Sequence, residues 1–397
     1  DTIIKKDFGL EDGLASTATK TIKVMRKSLR RIGGTHKDVE DTEEVPAIQV
    51  LDPATGTGTF IRQTILQIYE NFKEKNKGLS PDDLKNAWNA YVPEHLLPRI
   101  NAFELMMAPY AVAHMKLAMV LKDTGYDFAD NSRLNVFLTN SLEEAVASDR
   151  QISLWDDPLA AESFEANEVK KNNGINVIIG NPPYSGISSN NNEWIAKLID
   201  TYKYTDGVYF NERKHWLNDD YVKFVRFAHS CIESTERGII AFITPHGYID
   251  NPTFRAMRWN LMQSFNNLYI LNLHGNINRK EKTPDGGKDE NVFDIQQGVA
   301  ISFLIKKNEK KKNCSVFYAN LYGTRDYKYN FLNTSNMDDI KWKEAFPVDP
   351  YYLFRPSLVS QKDNYENGFK LTDFFGQYTA GIITARDGLA IDFTRES

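Results

Sequence analysis

The sequence has 397 residues, of which 41% are hydrophobic and 25% are charged. This composition excludes a disordered or collagen-like chain and supplies enough apolar material for a large core in two or three units. The 53 acidic residues exceed the 48 lysines and arginines, which leaves a net charge of −5. The chain as a whole is therefore not a basic nucleic-acid coat protein, and any contact with a polyanion must be local.

Membrane insertion and secretion are not predicted. The sequence lacks the run of about 20 apolar residues that a spanning helix needs, and its N-terminus lacks the apolar segment of a signal peptide. Cys231 and Cys314 are too few for a disulfide framework or a cysteine zinc site. We therefore expect a soluble, cytoplasmic protein. Because the first residue is Asp1 rather than Met, we interpret the chain as a piece of a longer polypeptide.

The pattern of elements along the chain indicates an α/β fold. Residues 1–46 are interpreted as an N-terminal helical segment, with a Lys- and Arg-rich helix over 19–31 whose charge favours a solvated face over DNA contact. Short apolar runs then alternate with stretches of helical period, which is typical of a parallel sheet covered by helices. The predicted strands are 48–51, 100–104, 134–139, 177–180, 238–244, 268–273, 299–305 and 316–319. The predicted helices are 60–72, 106–121, 221–232 and 254–265.

The connection between the predicted strands 268–273 and 299–305 differs from the others. It contains a turn-rich insert, 276–297, and no helical pattern. A parallel neighbour would need a crossover helix, so the strand 299–305 is expected to be antiparallel. The sequence therefore predicts a mostly parallel sheet with an antiparallel last strand.

A glycine-rich string follows the first predicted strand. It reads Asp52-Pro-Ala-Thr-Gly-Thr-Gly-Thr-Phe60, and its glycines let the backbone approach a ligand in front of a helix N-terminus. Ile61 replaces the third glycine of a dinucleotide fingerprint, so NAD is disfavoured. The string resembles the S-adenosylmethionine loop of amino-methyltransferases, where an acid and bare backbone at Gly56 and Gly58 suit a cationic ligand. The alternative is an ordinary strand-to-helix turn.

Polar residues end the next two predicted strands. Glu104 is placed to accept the ribose hydroxyls of a nucleoside cofactor, although a surface carboxylate is the alternative. It lies 52 residues after Asp52, against the usual separation of about 20, so an insertion over 75–98 is expected. Asn140 and Ser141 follow the third strand and are able to bond an adenine ring, although this pair is equally common in a plain turn.

A second motif, Asn181-Pro-Pro-Tyr184, follows the predicted strand 177–180. Each proline fixes its own φ, so the carbonyls and the Asn181 amide are held rigidly. An amine conjugated to a ring is a poor nucleophile. The Asn181 side-chain oxygen and the Pro182 carbonyl can each accept one of its hydrogens, and Tyr184 can stack on the ring. Methyl transfer from a sulfonium then needs orientation and well-placed acceptors, with no metal. A simple turn is the alternative.

The two motifs, in this order, resemble those of gamma-class N6-adenine DNA methyltransferases. The chain is most similar to the methyltransferase region of type ISP (single-polypeptide type I) and type IIG restriction-modification enzymes. The likeness runs from 8–14 to 384–387 and includes 238–245, 273–276 and 291–298. It implies a Rossmann-like class I fold with a seven-stranded sheet. A methyltransferase core would occupy 47–306, and 307–397 would lead toward a target-recognition domain outside this chain.

The resemblance also implies a cofactor, a substrate and their residues. S-adenosylmethionine is the implied cofactor and double-stranded DNA the implied partner, with no membrane and with nuclease and helicase domains, where present, elsewhere in the polypeptide. Asn181, Pro182, Pro183 and Tyr184 would hold a flipped adenine, and Phe293 would border it. The cofactor-binding positions are Asp52, Pro53, Ala54, Thr55, Gly56, Gly58, Thr59, Phe60, Glu104, Leu105, Asn140 and Ser141.

Other interpretations stay open at this point. The second motif recognises an amine and not a polymer, so an RNA base or a protein glutamine is an alternative substrate. The chain is also consistent with an inactive scaffold fragment. His114, His246 and His274 are interpreted as structural residues, and no set of metal ligands is predicted from their spacing.

Overall fold

The computed structural model describes residues 1–32, 35–128, 133–145, 158–171, 174–186, 188–210, 215–309, 313–356, 368 and 371–374. The chain divides into one unit spanning Asp1–Pro356 and a second spanning Ser357–Ser397. In the second unit, the described helix is α10 (Leu371–Phe374). The resemblance at 384–387 lies outside the described residues.

Thirteen strands occur in the described part of the first unit. They are β1 (Thr19–Ile32), β2 (Thr35–Pro46), β3 (Val50–Asp52), β4 (Ile100–Glu104), β5 (Asn135–Leu138), β6 (Val177–Gly180), β7 (Tyr204–Thr205), β8 (Val208–Tyr209), β9 (Gly238–Pro245), β10 (Asn267–His274), β11 (Val299–Lys306), β12 (Ser315–Asn320) and β13 (Lys343–Ala345). The helices are α1 (Thr2–Asp7), α2 (Thr59–Lys75), α3 (Pro81–Tyr91), α4 (Met107–Asp123), α5 (Pro158–Lys171), α6 (Glu193–Asp200), α7 (Asp220–Glu233), α8 (Arg255–Ser264) and α9 (Arg325–Thr334).

Nine of these strands form one mixed sheet in the order β13-β12-β10-β11-β9-β6-β3-β4-β5. The strand β11 lies antiparallel between β9 and β10, which confirms the predicted reversal. The prediction of seven strands is wrong in number, because β12 pairs with the outer side of β10 and β13 pairs with β12. These two additions satisfy backbone groups that an edge strand would leave open.

The prediction of a helix over 19–31 is wrong. This segment is the strand β1, which pairs with β2 in a separate antiparallel hairpin. The sequence Thr19-Lys-Thr-Ile-Lys-Val24 is rich in β-branched residues and alternates apolar with charged side chains at Ile22, Lys23 and Val24. That period-2 pattern favours a strand, and it outweighs the abundance of Lys and Arg. The residues before it contain the helix α1.

Two apolar cores lie on the two faces of the sheet. On one face α2 buries Ile61, Ile65 and Ile68 against α3, α4 and the N-terminal residues. Their spacing of four and three residues is that of a helix face. On the other face α7 and α8 pack their apolar side chains against β6, β9 and β10. The helix α3, anchored by the buried Trp88, lies within the insertion that the sequence predicts between β3 and β4.

The strand order reverses direction between β3 and β6. From β3 the chain adds β4 and β5 on one side, and then returns to place β6 on the other side. The strands β3, β4, β6 and β9 are parallel and therefore end at the same edge of the sheet, which we call the carboxyl edge. In open α/β sheets, ligands bind at this edge where the order reverses.

The helices in the described part of the chain are short or contain charged residues. Among them, none combines the length and the apolar character that crossing a membrane requires.

Candidate active site at the carboxyl edge of the sheet

The glycine-rich string forms a tight loop between β3 and α2. Asp52 ends the strand with a fully buried carboxylate, and its Oδ1 accepts a hydrogen bond from the Ala54 N–H (3.2 Å). Gly56 has φ +55°, which favours glycine, and no heavy atom of the described chain lies within 4 Å of where its Cβ would be. Gly58 then caps α2, with its N–H bonded to the Thr55 carbonyl (2.9 Å). The loop therefore presents open backbone at Gly56.

Glu104 fastens this loop to the neighbouring strand. Its Oε2 accepts the Gly56 N–H and its Oε1 accepts the Met106 N–H, both at 2.8 Å. The Thr55 N–H also bonds to the Phe103 carbonyl of β4 (2.9 Å). The carboxylate thus lies beside the open backbone of the loop. Each of its oxygens keeps a second acceptor site for a ligand hydroxyl.

The environment of Asp52 perturbs its ionisation. Burial raises the pKa of Asp52 to about 7, and the nearby charge of Glu104 adds to the effect. Its Oδ2 accepts no hydrogen bond of normal geometry from any residue that the structure describes. An unpaired buried carboxylate oxygen is costly, and a perturbed acid in a cleft is typical of a functional site.

We expect Asp52→Asn to stabilise the ligand-free chain at alkaline pH. The folded pKa lies above the unfolded one, so the native state binds the extra proton and stability falls as pH rises from about 4 to 7. A shift of three units corresponds to about 4 kcal/mol. The advantage of the variant in the free energy of unfolding should therefore grow by about 2–4 kcal/mol between pH 4 and pH 8.

Urea unfolding at both pH values measures this difference, with Asp82→Asn, an exposed acid in the first turn of α3, as the control. A stability difference between Asp52→Asn and the parent that stays constant with pH would show that the Asp52 carboxylate is not destabilised by burial.

The turn after β5 completes this side of the site. The Asn140 Oδ1 accepts the Leu142 N–H (3.0 Å), and its Nδ2 donates to the Asn190 Oδ1 (3.0 Å). The Ser141 hydroxyl donates to the Pro53 carbonyl, so the turn is tied directly to the glycine loop. Of the remaining predicted cofactor positions, Pro53 is buried, Ala54 and Phe60 are half-buried, and Thr59 and Leu105 are exposed.

The second motif lies one strand away from the glycine loop. The strand β6 is parallel to β3, with Leu51 opposite Ile178. A Cβ built on Gly180 would come within 2.8 Å of the Asp52 Oδ1, so only glycine fits here. Asn181 follows Gly180 directly, and the two motifs therefore meet at the point where the strand order reverses.

Tyr184 is held inward by two contacts. Its hydroxyl donates to the Asn181 Oδ1 and lies 3.2 Å from the Ile243 carbonyl oxygen of β9. Burial raises the pKa of Tyr184, so the hydroxyl keeps its proton and acts as a donor. Within the motif Pro182 is buried, Pro183 is exposed, and Asn181 is half-buried.

Phe293 reaches the same region from the β10–β11 connection. It packs, together with Tyr184, against a small hydrophobic cluster that includes Leu271 and Val299. Its N–H bonds to the Asn291 Oδ1 (2.9 Å), and its carbonyl accepts from the Arg325 Nη2 (3.0 Å). Sequence reasoning missed Arg325, because this residue comes from α9 and carries no local motif. It also missed Gly180, whose only signal is its place before the second motif.

A mostly parallel sheet in which β11 is reversed between β9 and β10, a glycine loop after β3 and acids at the carboxyl edge define the class I methyltransferase fold. Residues 100–277 match the family model of the Eco57I restriction-modification methylase. No curated protein matches the chain.

Solved structures of restriction-modification enzymes share the fold. The ATP-dependent Type ISP enzyme LlaBIII bound to DNA superposes with a TM-score of 0.64 at 23% identity, over 91% of this chain and 22% of that chain. A nuclease-deletion mutant of the Type ISP enzyme LlaGI, in complex with a DNA substrate mimic, gives 0.65 at 23% identity, over 91% and 26%. A DrdV–DNA complex gives 0.62 at 24% identity, over 89% and 29%. The chain thus spans 22–29% of these chains.

Proposed function

We propose that this chain is the methyltransferase part of a restriction-modification enzyme and that it methylates adenine N6 in DNA with S-adenosylmethionine. The observation that carries the proposal is the contact between the two motifs. Gly180, the residue before Asn181, lies against the Asp52 carboxylate of the glycine loop. A cofactor in the loop and an amine on Asn181 would therefore be neighbours across a single strand spacing.

The loop residues suit this cofactor. S-adenosylmethionine, when bound, supplies an electrophilic methyl group on a positively charged sulfonium. The buried, unpaired Oδ2 of Asp52 is suited to a cationic group of the ligand. Glu104 would accept the ribose hydroxyls with the lone pairs that its two backbone partners leave open. The turn at Asn140 and Ser141, tied to Pro53, would border the adenine ring.

The second motif would position the substrate amine. The Asn181 Oδ1 and the Pro182 carbonyl would each accept one amine hydrogen and so direct the nitrogen lone pair toward the methyl group. Positive charge develops on that nitrogen, and both acceptors stabilise it until a proton is released. The Tyr184 hydroxyl occupies the Asn181 Oδ1 in this structure. A bound base would share this oxygen through its second lone pair or displace the hydroxyl, which frees the Tyr184 ring to stack.

The family match and the similar structures support DNA as the substrate. The match to the methylase family covers 100–277, and two structurally similar restriction-modification enzymes, LlaBIII and LlaGI, are bound to DNA or to a DNA substrate mimic. A base inside a duplex cannot reach a methyl donor at the edge of the sheet, so the adenine would be flipped. Target recognition and nuclease or helicase functions would belong to other parts of a longer polypeptide, and a DNA substrate fits a cytoplasmic location.

Transfer of a tritiated methyl group tests the proposal. The full-length polypeptide is incubated with labelled S-adenosylmethionine and, in parallel, with duplex DNA, RNA and a protein extract. We expect label in DNA alone and N6-methyladenine as the labelled nucleoside. Label in RNA or on protein glutamine would show that the substrate amine belongs to that polymer and not to DNA. If none of the three polymers is labelled, the enzymatic assignment is overturned.

A further inference from the structure

A second polar cluster lies at the carboxyl edge, at the ends of β9, β10 and β12. These ends border a cavity of about 320 Å³ whose lining includes Asn272, Asn320 and Tyr322. His246, His274 and Glu281 each direct one possible ligand atom into a common space, and the three atoms lie within 4.8 Å of one another. None of these three residues belongs to the glycine loop or to the second motif. The methyl-transfer geometry therefore leaves the cluster unexplained.

Hydrogen bonds fix the protonation of the first histidine. The Asn272 Oδ1 accepts the His274 backbone N–H (3.0 Å) and lies 3.0 Å from the His246 Nδ1. Since that amide oxygen is an acceptor, the His246 Nδ1 carries the hydrogen and its Nε2 carries the lone pair. The Asn276 amide donates to this Nε2 at 3.2 Å. The nitrogen that faces the cluster is therefore the basic one.

The second histidine is oriented in the same manner and is strained. Its Nε2 lies 2.7 Å from the Asn320 Oδ1, so Nε2 is the donor and Nδ1 is the basic nitrogen. His274 is 7% exposed, and its Nδ1 has no hydrogen-bond partner among the described residues. Its φ is +53°, a conformation that costs energy for a non-glycine residue. The ring is also stacked on Tyr322, with centroids 3.9 Å apart.

Glu281 completes the set. Its Oε2 accepts the Asn276 N–H (2.9 Å), while its Oε1 lies 3.7 Å from the free His274 Nδ1. Arg279 and Arg355, which line the same cavity together with Lys343, each pair with Asp250 (4.0 and 3.2 Å). Two basic imidazole nitrogens and one carboxylate thus converge, each oriented by an amide on its outer side.

We propose that His246 Nε2, His274 Nδ1 and Glu281 Oε1 bind a divalent transition-metal ion of the Zn²⁺ type. Two histidines and a carboxylate are an established ligand set for such ions. Amide oxygens that accept the outer N–H of each ring supply the orientation that ligating histidines need. Bonds of 2.0–2.1 Å in a tetrahedron separate ligand atoms by about 3.4 Å, so each side chain must move by less than about 1 Å. The Asn276 amide would withdraw from the His246 Nε2.

The ion would join three separate parts of the chain. His246 follows β9, His274 ends β10, and Glu281 lies on the connection that continues to Phe293. A metal here would fix the start of that connection to the sheet, close to the cluster on which Phe293 and Tyr184 pack. The site would thus be structural, and it would support the residues proposed to border the base.

Metal binding by the full chain tests the inference in the absence of S-adenosylmethionine and DNA. Metal-free protein is titrated with Zn²⁺ by calorimetry, and Co²⁺ reports the coordination through its visible absorption. We expect one ion per chain and a higher Tm with Zn²⁺ present. His274→Asn, which suits the positive φ, and Glu281→Gln, which keeps the acceptor for Asn276, should each weaken binding about 100-fold or more.

His95→Gln is the matched control, because His95 lies 3.6 Å from Glu94 and is outside the cluster. It should bind Zn²⁺ as the parent does. The inference is overturned if the folded parent takes up neither Zn²⁺ nor Co²⁺, or if both cluster variants bind as tightly as the parent. Neither result depends on methyl transfer, so the metal-site proposal and the proposed methyltransferase function can each fail without the other.

Discussion

Replacing Asn181 with alanine is expected to lower kcat/KM for methyl transfer to DNA by about 10²–10³-fold, with the loss mainly in kcat. The variant removes an acceptor placed where positive charge develops, and the loss of one preorganised hydrogen-bonding group of this kind typically costs that much. The Pro182 carbonyl and the glycine loop are unchanged. The affinity for S-adenosylmethionine, measured by calorimetry, should therefore stay within about twofold of the parent.

Asn330→Ala is the control for this experiment, because Asn330 is exposed on α9. Single-turnover rates separate the chemical step from DNA binding. Rates for Asn181→Ala equal to those of the parent and of Asn330→Ala would remove Asn181 from the reaction. A variant that loses cofactor binding as well would indicate that Asn181 supports the structure of the cofactor site and does not act on the amine.

The largest loss of stability is expected from Lys328→Met. The Lys328 Nζ pairs with the Asp289 Oδ1 at 2.9 Å, and both side chains are fully buried. The same ammonium donates to the Leu273 and Glu290 carbonyls (2.7 and 2.6 Å). Removing it leaves the Asp289 charge buried and unpaired, which typically costs about 3–5 kcal/mol. Thermal and urea unfolding should show this loss in the free energy of unfolding.

Lys288→Met is a closely matched control. Lys288 directly precedes Asp289 in the sequence, and its ion pair with Glu290 is at the surface (2.5 Å, lysine side chain 78% exposed). The loss of this ion pair should cost at most about 1 kcal/mol in the free energy of unfolding. In the double variant Asp289→Asn/Lys328→Met the stranded charge is gone, and part of the stability should return. Equal, small losses for both lysines would mean that the buried pair contributes no more than a surface pair.

The sequence predicts the sheet well because its strands are continuous buried runs. The strands 100–104 and 177–180 agree with the structure at both ends. The reversal of β11 follows from the missing crossover helix. The hairpin β1–β2 was missed because its charged residues suggested a solvated helix face, whereas its β-branched alternation decides the conformation. The strand β13 has three residues, too few for a periodic pattern to appear.

In the candidate site, too, the sequence alone reveals contiguous motifs but not residues that only the fold brings together. The glycine loop and Asn181-Pro-Pro-Tyr184 are contiguous strings, so the sequence alone contains them. The cluster of His246, His274 and Glu281 has no such string, because pairing of β9 and β10 with β11 brings its histidines together. Spacing along the chain therefore hid a ligand set that strand register creates.

The reversed direction of β11 affects which part of this fold can vary among related proteins. The strand β10 runs toward the carboxyl edge and β11 runs back from it, so the segment joining them lies at the same edge as the candidate active site. A helical crossover would have returned the chain to the opposite edge. Length changes in this segment can thus alter the surface beside the candidate active site while the strands beneath it keep their register, so this part of the chain can vary in evolution without a change in the sheet.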